Sequence, residues 1–403
     1  MSLPVITKRQ AQLIHLAAQG LLNPPTSPAI KGDVLATIRG MGLLQIDTIH
    51  VVARSPYLVL FSRLGDYNAK WLDELLAEKA LFEQWAHAAC YIPMEDFPLS
   101  RRLILEELRM SYFGGWAQEN LEIVNLVLEA VRTNGPMRSA DFESQKEPGG
   151  WWNWKTEKAA LEYWFSRGVL MVAKRENFQR VYDLAERVIP DWKDDEVPPL
   201  DEVYRQMIYK TVSTLGVARP SWVPDYYRLK KKVVLPLLQE MLNSGDLRQV
   251  NIEGWEEPAL FVKENEKLLQ SAASGELKAN HTTLLSPFDP LTWDRERARQ
   301  LFNFDFTIQC YTPAAKRQFG YFPLPILHNG ELVGRLDAKA HRKEGIFNLK
   351  TLYLEDWVIP TIELAHALGQ AIQRCADWHQ TPNVTLGECS PGEFKSSLQT
   401  VFS

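Results

Sequence analysis

The chain has 403 residues, of which 45% are hydrophobic and 24% are charged, and its formal net charge is −5. This length exceeds what one core usually serves, so two to four domains are expected. No apolar run approaches the roughly 18 residues of a membrane span, the N-terminus opens no secretory or transit peptide, and the cysteines form no Cys-x-x-Cys pair, so we expect a cytoplasmic protein without a disulfide framework or zinc site.

The N-terminal 115 residues predict a helical module with one polar strand. Thr7 is a suitable N-cap for a first helix, and Gly40-Met41-Gly42 should stop the second. The predicted elements are helices over 7–20, 30–39, 57–64 and 69–79, a strand over 45–47, strand-like sequence over 82–92, and a helix over 95–109. The module therefore places its strand between the second and third helices.

Two later stretches predict three helices followed by a two-stranded wing, the order of a winged helix. The first has helices over 121–132, at Ser139 and over 155–167, then strands over 169–174 and 178–184. The second has helices over 202–215, 223–227 and 232–243, then strands over 247–251 and 259–262. Recurrence of this order suggests stacked modules, with the first 110 residues as a more elaborate third copy.

The C-terminal part changes to a strand pattern. We predict strands over 304–311, 321–328, 332–338 and 346–354, then a helix over 361–377 and a short strand over 384–386. The predicted class is α+β, with tandem winged-helix (helix-turn-helix) modules followed by a small, mostly antiparallel β domain. The predicted domains are 1–115, 116–195, 196–280 and 281–403.

The Gln45-Ile46-Asp47 stretch carries polar side chains in an otherwise apolar segment. If the segment is extended, Gln45 and Asp47 share one face, where they could hold and activate a water molecule. A satisfied buried polar pair or an exposed strand face is the structural alternative. Spacing alone leaves both interpretations open.

Positive charge is gathered in two segments of this acidic chain. Residues 1–63 hold six Lys and Arg against two acids, and residues 314–343 hold the same numbers. Lys316 and Arg317 lie in a turn-rich connection that could clamp a phosphate backbone, or could be a solvated loop. Arg228 and Lys230 precede a predicted helix, where cations oppose the macrodipole, which hints at phosphate contacts.

Several common catalytic motifs are absent. The sequence contains no phosphate-binding glycine loop, Gly-x-Ser-x-Gly or His-Glu-x-x-His. These absences argue against most nucleotide-hydrolysing, acyl-transfer and zinc-protease functions. The cluster Trp151-Trp152-Asn153-Trp154 could stack on bases, but such a cluster before an amphipathic helix is more often interior packing.

Three groups of residues together closely resemble the bacterial crosslink-repair DNA glycosylases, a winged-helix family that includes an azinomycin-resistance enzyme. They are Gln45-Ile46-Asp47 with His50 and Arg54, Leu285-Ser286-Pro287-Phe288-Asp289-Pro290 followed by Trp293-Asp294-Arg295, and the Lys316-Arg317 loop ending in Gly320-Tyr321. The resemblance covers essentially the whole chain and is greatest to the enterobacterial branch. It implies hydrolysis of N7-alkylguanine in duplex DNA, including nitrogen-mustard interstrand crosslinks.

The resemblance assigns catalysis to Gln45 and Asp47. Alkylation at N7 makes guanine a cationic leaving group, so one carboxylate suffices where ordinary glycosidases use two. Gln45 would orient a water molecule, and Asp47 would act either as general base or as an electrostatic stabiliser, since relatives carry Gln or Asp there. The residues expected to contact DNA are His50, Arg54, Lys174, Arg175, Arg228, Lys230, Lys316 and Arg317.

These expectations describe a monofunctional, monomeric enzyme that needs no metal or organic cofactor. It would associate with the nucleoid when bound to DNA. The alternative is a non-catalytic winged-helix regulator that binds DNA. The two differ in whether alkylated DNA loses its damaged base.

Overall fold

The computed structural model describes residues 3–107, 113–142 and 156–402, and the Trp151–Trp154 cluster lies outside these ranges. The chain forms two compact units, one comprising Met1–Asn68 with Ile208–Ser403 (unit 1) and one comprising Ala69–Met207 (unit 2). The predicted division into four consecutive domains stays a prediction. Within the described ranges, no helix is both long and apolar enough to cross a membrane.

The elements of the described residues alternate between helices and short strands. The helices are α1 (Lys8–Ala18), α2 (Lys31–Met41), α3 (Ser55–Leu64), α4 (Lys70–Ala77), α5 (Phe97–Leu105), α6 (Gly114–Glu119), α7 (Leu121–Asn134), α8 (Thr156–Ser166), α9 (Ala185–Val188), α10 (Leu200–Leu215), α11 (Val223–Tyr226), α12 (Lys231–Ser244), α13 (Glu266–Ala273), α14 (Arg295–Phe302), α15 (Ile362–Trp378) and α16 (Phe394–Phe402). The strands are β1 (Val5–Ile6), β2 (Leu44–Gln45), β3 (Leu81–Trp85), β4 (Ala89–Pro93), β5 (Leu170–Glu176), β6 (Gln179–Leu184), β7 (Leu247–Ile252), β8 (Ala259–Val262), β9 (Thr282–Leu284), β10 (Leu324–His328), β11 (Glu331–His341), β12 (Ile346–Leu354) and β13 (Asn383–Ser390).

Local signals set several helix ends where the sequence predicts them. The Thr7 side chain accepts a hydrogen bond from Gln10 N and forms a capping box at the start of α1. Thr361 caps α15 in the same way, accepting from Leu364 N. Helix α2 ends at Gly42, whose φ of 72° is the left-handed conformation that glycine adopts most readily. The predicted cap at Thr7 and the predicted stop at Gly42 are confirmed.

Unit 2 contains two antiparallel hairpins. Strands β3 and β4 pair from Leu81–Pro93 to Trp85–Ala89. Helix α7, a 3₁₀ turn at Ser139–Asp141 and helix α8 then lead into the hairpin of β5 and β6, in the predicted order. An isolated bridge joins Met137, just before the 3₁₀ turn, to Tyr182 in β6. The bridge adds a third, one-residue strand to this hairpin.

Unit 1 contains a second arrangement with the same order. The C-terminal part of α10, the short helix α11 and helix α12 precede the β7–β8 hairpin. Ala218 bridges to Leu260 in β8, as Met137 does to Tyr182. Strand β1 adds a parallel pairing to β7. The recurrence that the sequence predicts is thus present as a repeated order of helices, bridge and hairpin.

A five-stranded sheet with the order β13-β12-β11-β10-β9 forms the C-terminal part of unit 1. Its pairings are antiparallel except for the parallel pair of β12 and β13. Helix α15 packs against β9 and α16, with Leu368 and Ile372 fully buried. The mixed α+β class and the mostly antiparallel sheet agree with the sequence predictions.

Two predicted strands differ from the structure. Residues 304–311 alternate like a strand, yet they form none, because Phe304 and Phe306 bury their rings without a pairing strand. The Arg335 guanidinium lies over the Phe304 ring, 4.5 Å from its centre. The strand predicted over 45–47 ends at Gln45, so Asp47 lies in the loop of residues 46–54. The shared-face argument therefore does not apply to Gln45 and Asp47.

Candidate active site

The loop of residues 46–54, which we call the Asp47 loop, connects β2 to α3. Its entrance is fixed by the end of α2, where the Tyr226 hydroxyl donates a 2.8 Å hydrogen bond to Met41 O. A Cβ atom on Gly42 would lie 2.3 Å from the Tyr227 hydroxyl oxygen, so no larger residue fits there without displacement. The packing of these tyrosines therefore sets the direction in which the chain enters β2.

Helix α3, which follows the Asp47 loop, is anchored near both of its ends. Ser55, the first residue of α3, shares a 2.7 Å hydrogen bond with Ser286. Near the other end, Arg63 forms a two-point ion pair with Asp289, with distances of 2.7 Å and 3.0 Å. All four side chains are buried. The run from Leu285 to Pro290, noted in the sequence for its resemblance alone, thus clamps the helix that follows the loop.

Gln45 is the more buried of the two predicted catalytic residues. It is 8% exposed, and its neighbours Leu43 and Leu44 are fully buried. Among the residues that the structure describes, its Oε1 atom is buried without a hydrogen-bond partner. A buried polar atom without a hydrogen-bond partner destabilises the folded state by about 1–3 kcal/mol. Its presence here therefore needs a reason other than stability.

Asp47 is half-buried and makes one local hydrogen bond. Its Oδ1 accepts from Ile49 N at 2.7 Å, which closes a turn over Thr48. Burial raises the pKa of the carboxyl group above its ordinary 3.8, and the Ile49 N–H opposes that rise in part. The hydrogen bond to Ile49 N therefore fixes the position of the carboxylate. The surrounding protein partly desolvates it.

A second loop, comprising residues 307–321, approaches Asp47 from the C-terminal part of unit 1. Burial and then the nearby Asp47 raise the pKa of the Cys310 thiol. The pKa of the Tyr311 phenol is also raised, by burial, by Cys310 and by Asp47. Tyr311 is nevertheless 78% exposed, the most exposed of the large hydrophobic side chains in the described residues. The structure thus brings an aromatic side chain and a thiol to the carboxylate, a proximity to Asp47 that the sequence analysis did not predict.

Internal hydrogen bonds give the 307–321 loop a defined shape. The side-chain oxygen of Gln309 accepts from Gln318 N and Phe319 N, at 2.8 Å and 2.9 Å. Arg317 donates from Nε to Thr312 O at 2.9 Å, and its guanidinium lies 4.8 Å from the centre of the Tyr321 ring. Lys316 is exposed in the 3₁₀ turn of this loop. Arg317 therefore helps to shape the loop, while Lys316 extends from it.

The predicted DNA-contacting residues do not all lie at this loop. His50 and Arg54 belong to the Asp47 loop, and Arg54 is the N-cap of α3. Arg228 is exposed and paired with Asp225, and the exposed Lys230 is the N-cap of α12. Lys174 belongs to unit 2, where it pairs with Glu176 at 2.8 Å.

Arg175 has an environment that does not fit its predicted phosphate contact. Its side chain is 4% exposed and forms a two-point ion pair with the fully buried Glu83. It also donates to Phe178 O at 2.6 Å and lies 4.4 Å from the centre of the Phe178 ring. The guanidinium is buried and hydrogen-bonded beside the turn that joins β5 to β6. We therefore assign Arg175 to the structure of unit 2 and not to DNA.

The predicted catalytic residues of this site are an amide, Gln45, and a carboxylate, Asp47. In residues 3–107, 113–142 and 156–402, no group of three or more His, Cys, Asp and Glu side chains is placed to hold a metal ion. The groups near Asp47 are a thiol, a phenol and a backbone amide.

The pH dependence of activity should follow the titration of Asp47. The folded protein favours the protonated carboxyl group, so the ionised form is lost as pH falls through a value above 3.8. We expect the acid limb of kcat/KM to lie above this value and to be absent from Asp47→Asn. A pH–rate profile of both proteins tests this. An identical acid limb in the two would contradict the role of Asp47.

Comparison with known proteins places this chain in a class of DNA-repair enzymes, the DNA glycosylases. The family model of the AlkZ-like DNA glycosylases matches residues 38–378, and the chain belongs to this family. The matched region contains the Asp47 loop, the Arg63–Asp289 clamp and the 307–321 loop. The family predicted from the sequence is therefore confirmed.

The solved structure of the Streptomyces sahachiroi DNA glycosylase AlkZ is similar to this chain, with a TM-score of 0.62 and 15% sequence identity. The similarity covers 94% of this chain and 99% of the Streptomyces chain. At this identity the comparison shows a shared fold over nearly the full length of both chains.

Proposed function

We propose that this protein is a monofunctional DNA glycosylase that excises N7-alkylguanine from duplex DNA and unhooks nitrogen-mustard interstrand crosslinks. Membership of the AlkZ-like family supports the activity class. The observation that carries the site assignment is the buried, unpaired Oε1 of Gln45, two residues before a half-buried carboxylate whose pKa is raised. Such a destabilising arrangement is typical of a site kept for chemistry.

The mechanism follows from the charge of the substrate. A base alkylated at N7 carries a positive charge and leaves as a neutral molecule, so no strong general acid is required. Gln45 orients a water molecule towards the sugar carbon through its side-chain amide. Ionised Asp47 either removes a proton from that water or stabilises the positive charge that develops on the sugar. Water and base exchange at one carbon, and the product is an abasic site and a free base.

We further propose that the two repeated modules act as winged helices on DNA. Their support is the shared order of three helices and a hairpin, with the bridges Met137–Tyr182 and Ala218–Leu260 at equivalent places. Exposed cations at Lys174, Arg228, Lys230 and Lys316 would contact phosphates. The protein would act as a monomer and be associated with the nucleoid only while bound to DNA.

A duplex that contains one N7-methylguanine tests the function. Incubation followed by alkali should break the strand at the damaged base, and an undamaged duplex should stay intact. A second duplex joined by a nitrogen mustard should separate into single strands on a denaturing gel. Intact damaged DNA after saturating binding would instead identify the alternative, a winged-helix regulator.

The 307–321 loop gives a prediction about affinity. The double variant Lys316→Ala/Arg317→Ala should bind duplex DNA more weakly, and the slope of log K against log salt should become shallower by roughly 0.9 for each phosphate that the variant no longer neutralises. The charge-matched control is Lys263→Ala/Lys267→Ala, two exposed cations elsewhere in unit 1. Fluorescence anisotropy over a salt series measures both.

Comparison of damaged and undamaged duplex then separates two roles of the loop. An equal decrease of affinity for both duplexes indicates binding to the backbone alone, whereas a decrease confined to excision indicates support of the distorted lesion. Wild-type affinity, salt slope and excision in the loop variant would mean that the loop is a solvated connection.

A further inference from the structure

Tyr311 is an aromatic side chain that folding leaves uncovered. It is 78% exposed, whereas every other tyrosine that the structure describes is buried or half-buried. A phenol ring in water forgoes the free energy that burial of its apolar surface would supply. Exposed rings also occur singly on protein surfaces, and Tyr311 differs from these in the backbone that carries it.

A hydrogen-bonded turn presents Tyr311. Thr312 N donates to Gln309 O at 3.0 Å, which closes a four-residue turn with Tyr311 at its third position. The Gln309 side chain is 7% exposed and ties this turn to the opposite side of the loop, because its oxygen accepts from Gln318 N and Phe319 N. The exposed ring is therefore carried by a braced turn and not by a free segment.

The far end of the 307–321 loop is fixed on strand β11. The Arg335 guanidinium of β11 lies 4.3 Å from the centre of the Phe319 ring. The same ring meets Tyr353 edge to face, with 5.1 Å between the ring centres. A Cβ atom on Gly320 would lie 2.3 Å from Asp337 Cγ, so only glycine allows the backbone to approach β11 this closely.

Strand β11 also holds the Asp47 loop. Ala340 N donates a 3.0 Å hydrogen bond to Val51 O, and the Arg342 side chain donates from Nη2 to Val52 O. The first of these contacts is three residues beyond the strand position that meets Gly320, which is roughly 10 Å along a strand. The two loops are therefore neighbours on one strand.

The pKa of the Tyr311 phenol agrees with this placement. Burial raises it first, and the nearby Cys310 and Asp47 raise it further. The exposed ring thus lies close to the carboxylate that the proposed function uses.

The charge of the damaged base gives such a ring something to recognise. Guanine alkylated at N7 is a cation while it is attached to the sugar and is neutral once it is released. The face of a tyrosine ring carries partial negative charge and attracts a cation within about 6 Å of its centre. Undamaged guanine can stack on the same face but lacks this attraction.

We infer that Tyr311 selects the alkylated base by its charge, with the ring covering the face of the base once the base has left the stack. The inference rests on the proposed function, because it requires a cationic base beside Asp47. The selection acts on binding and not on the rate of cleavage. Positive charge moves from the base to the sugar during cleavage, so the ring does not favour the transition state over the bound substrate.

Two duplexes that resist cleavage test the selection. One contains 2′-fluoro-N7-methylguanine nucleotide, which keeps the cationic base attached because fluorine disfavours positive charge on the sugar. The other contains 7-deaza-7-methylguanine, which has nearly the same shape and no charge. The wild-type protein should bind the charged duplex more tightly, and Tyr311→Leu should reduce this preference roughly 2- to 30-fold, the range of one cation–π contact. Fluorescence anisotropy measures the affinities, and circular dichroism checks folding.

The matched control is Trp357→Leu, which removes an aromatic side chain that is 45% exposed elsewhere in unit 1. It should keep the wild-type preference for the charged duplex. At saturating enzyme, Tyr311→Leu should excise N7-methylguanine at close to the wild-type rate. A decrease in that rate with an unchanged preference would assign the ring to the chemical step, which overturns the inference.

A series of rings at the same position separates charge from shape. Tyr311→Phe should keep most of the preference. Replacement of Tyr311 by 3,4,5-trifluorophenylalanine should abolish it, because fluorine withdraws electrons from the ring face at nearly constant size. A preference that survives this replacement overturns the inference. So does an equal decrease in affinity for both duplexes in Tyr311→Leu, since the ring would then support DNA without sensing its charge. If Tyr311→Leu fails to fold, the series of rings decides alone.

The wild-type protein distinguishes this inference from the proposed function. If it excises N7-methylguanine and Tyr311→Leu keeps the charge preference, the inference is wrong and the glycosylase stands. If it binds the duplexes but does not excise N7-methylguanine, the glycosylase proposal fails. The preference of Tyr311→Leu then still decides whether Tyr311 recognises the charge.

Discussion

Asp47→Asn and Gln45→Ala are each expected to lower the single-turnover rate of N7-methylguanine excision by about 10²–10⁴-fold, the usual effect of losing a positioned catalytic group. Asparagine keeps the oxygen that accepts from Ile49 N, so the loop should retain its turn while the negative charge is removed. Alanine at position 45 removes the buried, unpaired amide oxygen without touching Asp47. Chemical quench measurements at saturating enzyme give the rates.

The matched control for these variants is Thr48→Ala, an exposed position between the same two hydrogen-bonded residues. It should excise at nearly the wild-type rate. All three variants should bind undamaged duplex with unchanged affinity and give wild-type circular dichroism. Near-wild-type excision by folded Asp47→Asn and Gln45→Ala would remove both residues from the catalytic assignment.

The second large effect is on stability, at the clamp between Arg63 and Asp289. Either Arg63→Ala or Asp289→Ala leaves a charged group buried without its partner, which typically costs about 3–5 kcal/mol in the free energy of unfolding. The double variant Arg63→Met/Asp289→Leu should lower the free energy of unfolding by less than either single change, because neither charge remains buried. Denaturant titration followed by circular dichroism measures the three.

The control for the clamp is Lys174→Ala, which removes the half-exposed ion pair with Glu176. This change should lower the free energy of unfolding by at most about 1 kcal/mol. The clamp variants should also lose excision, because Ser55 and the Asp47 loop precede the helix that the clamp holds. Single variants within about 1 kcal/mol of the wild type would show that the ion pair does not hold α3.

Local chemistry in the sequence predicts many elements of the fold. Thr7 and Thr361 begin helices, and Gly42 ends one, because caps and left-handed glycines act within a few residues. Alternation predicts β11 and β12 correctly but fails over 304–311. There the two phenylalanines alternate because they pack beneath Arg335, and alternation alone does not reveal whether a pairing strand exists.

The candidate site is predictable in part for the same reason. Gln45 and Asp47 stand out because polar side chains in an apolar segment carry a cost. The approach of Tyr311 and Arg342 to the Asp47 loop depends on contacts between segments that are far apart in the chain, which no local pattern encodes. The burial of Arg175 depends likewise on Glu83, which lies in a different hairpin.

Direct detection of the released base tests the central claim most sharply. The wild-type protein is incubated with a duplex that contains one N7-methylguanine, and the products are separated by mass before any heat or alkali treatment. The account predicts free 7-methylguanine in an amount equal to the abasic sites formed, with the DNA strand unbroken. Damaged DNA that stays intact, with no free base after saturating binding, would contradict it.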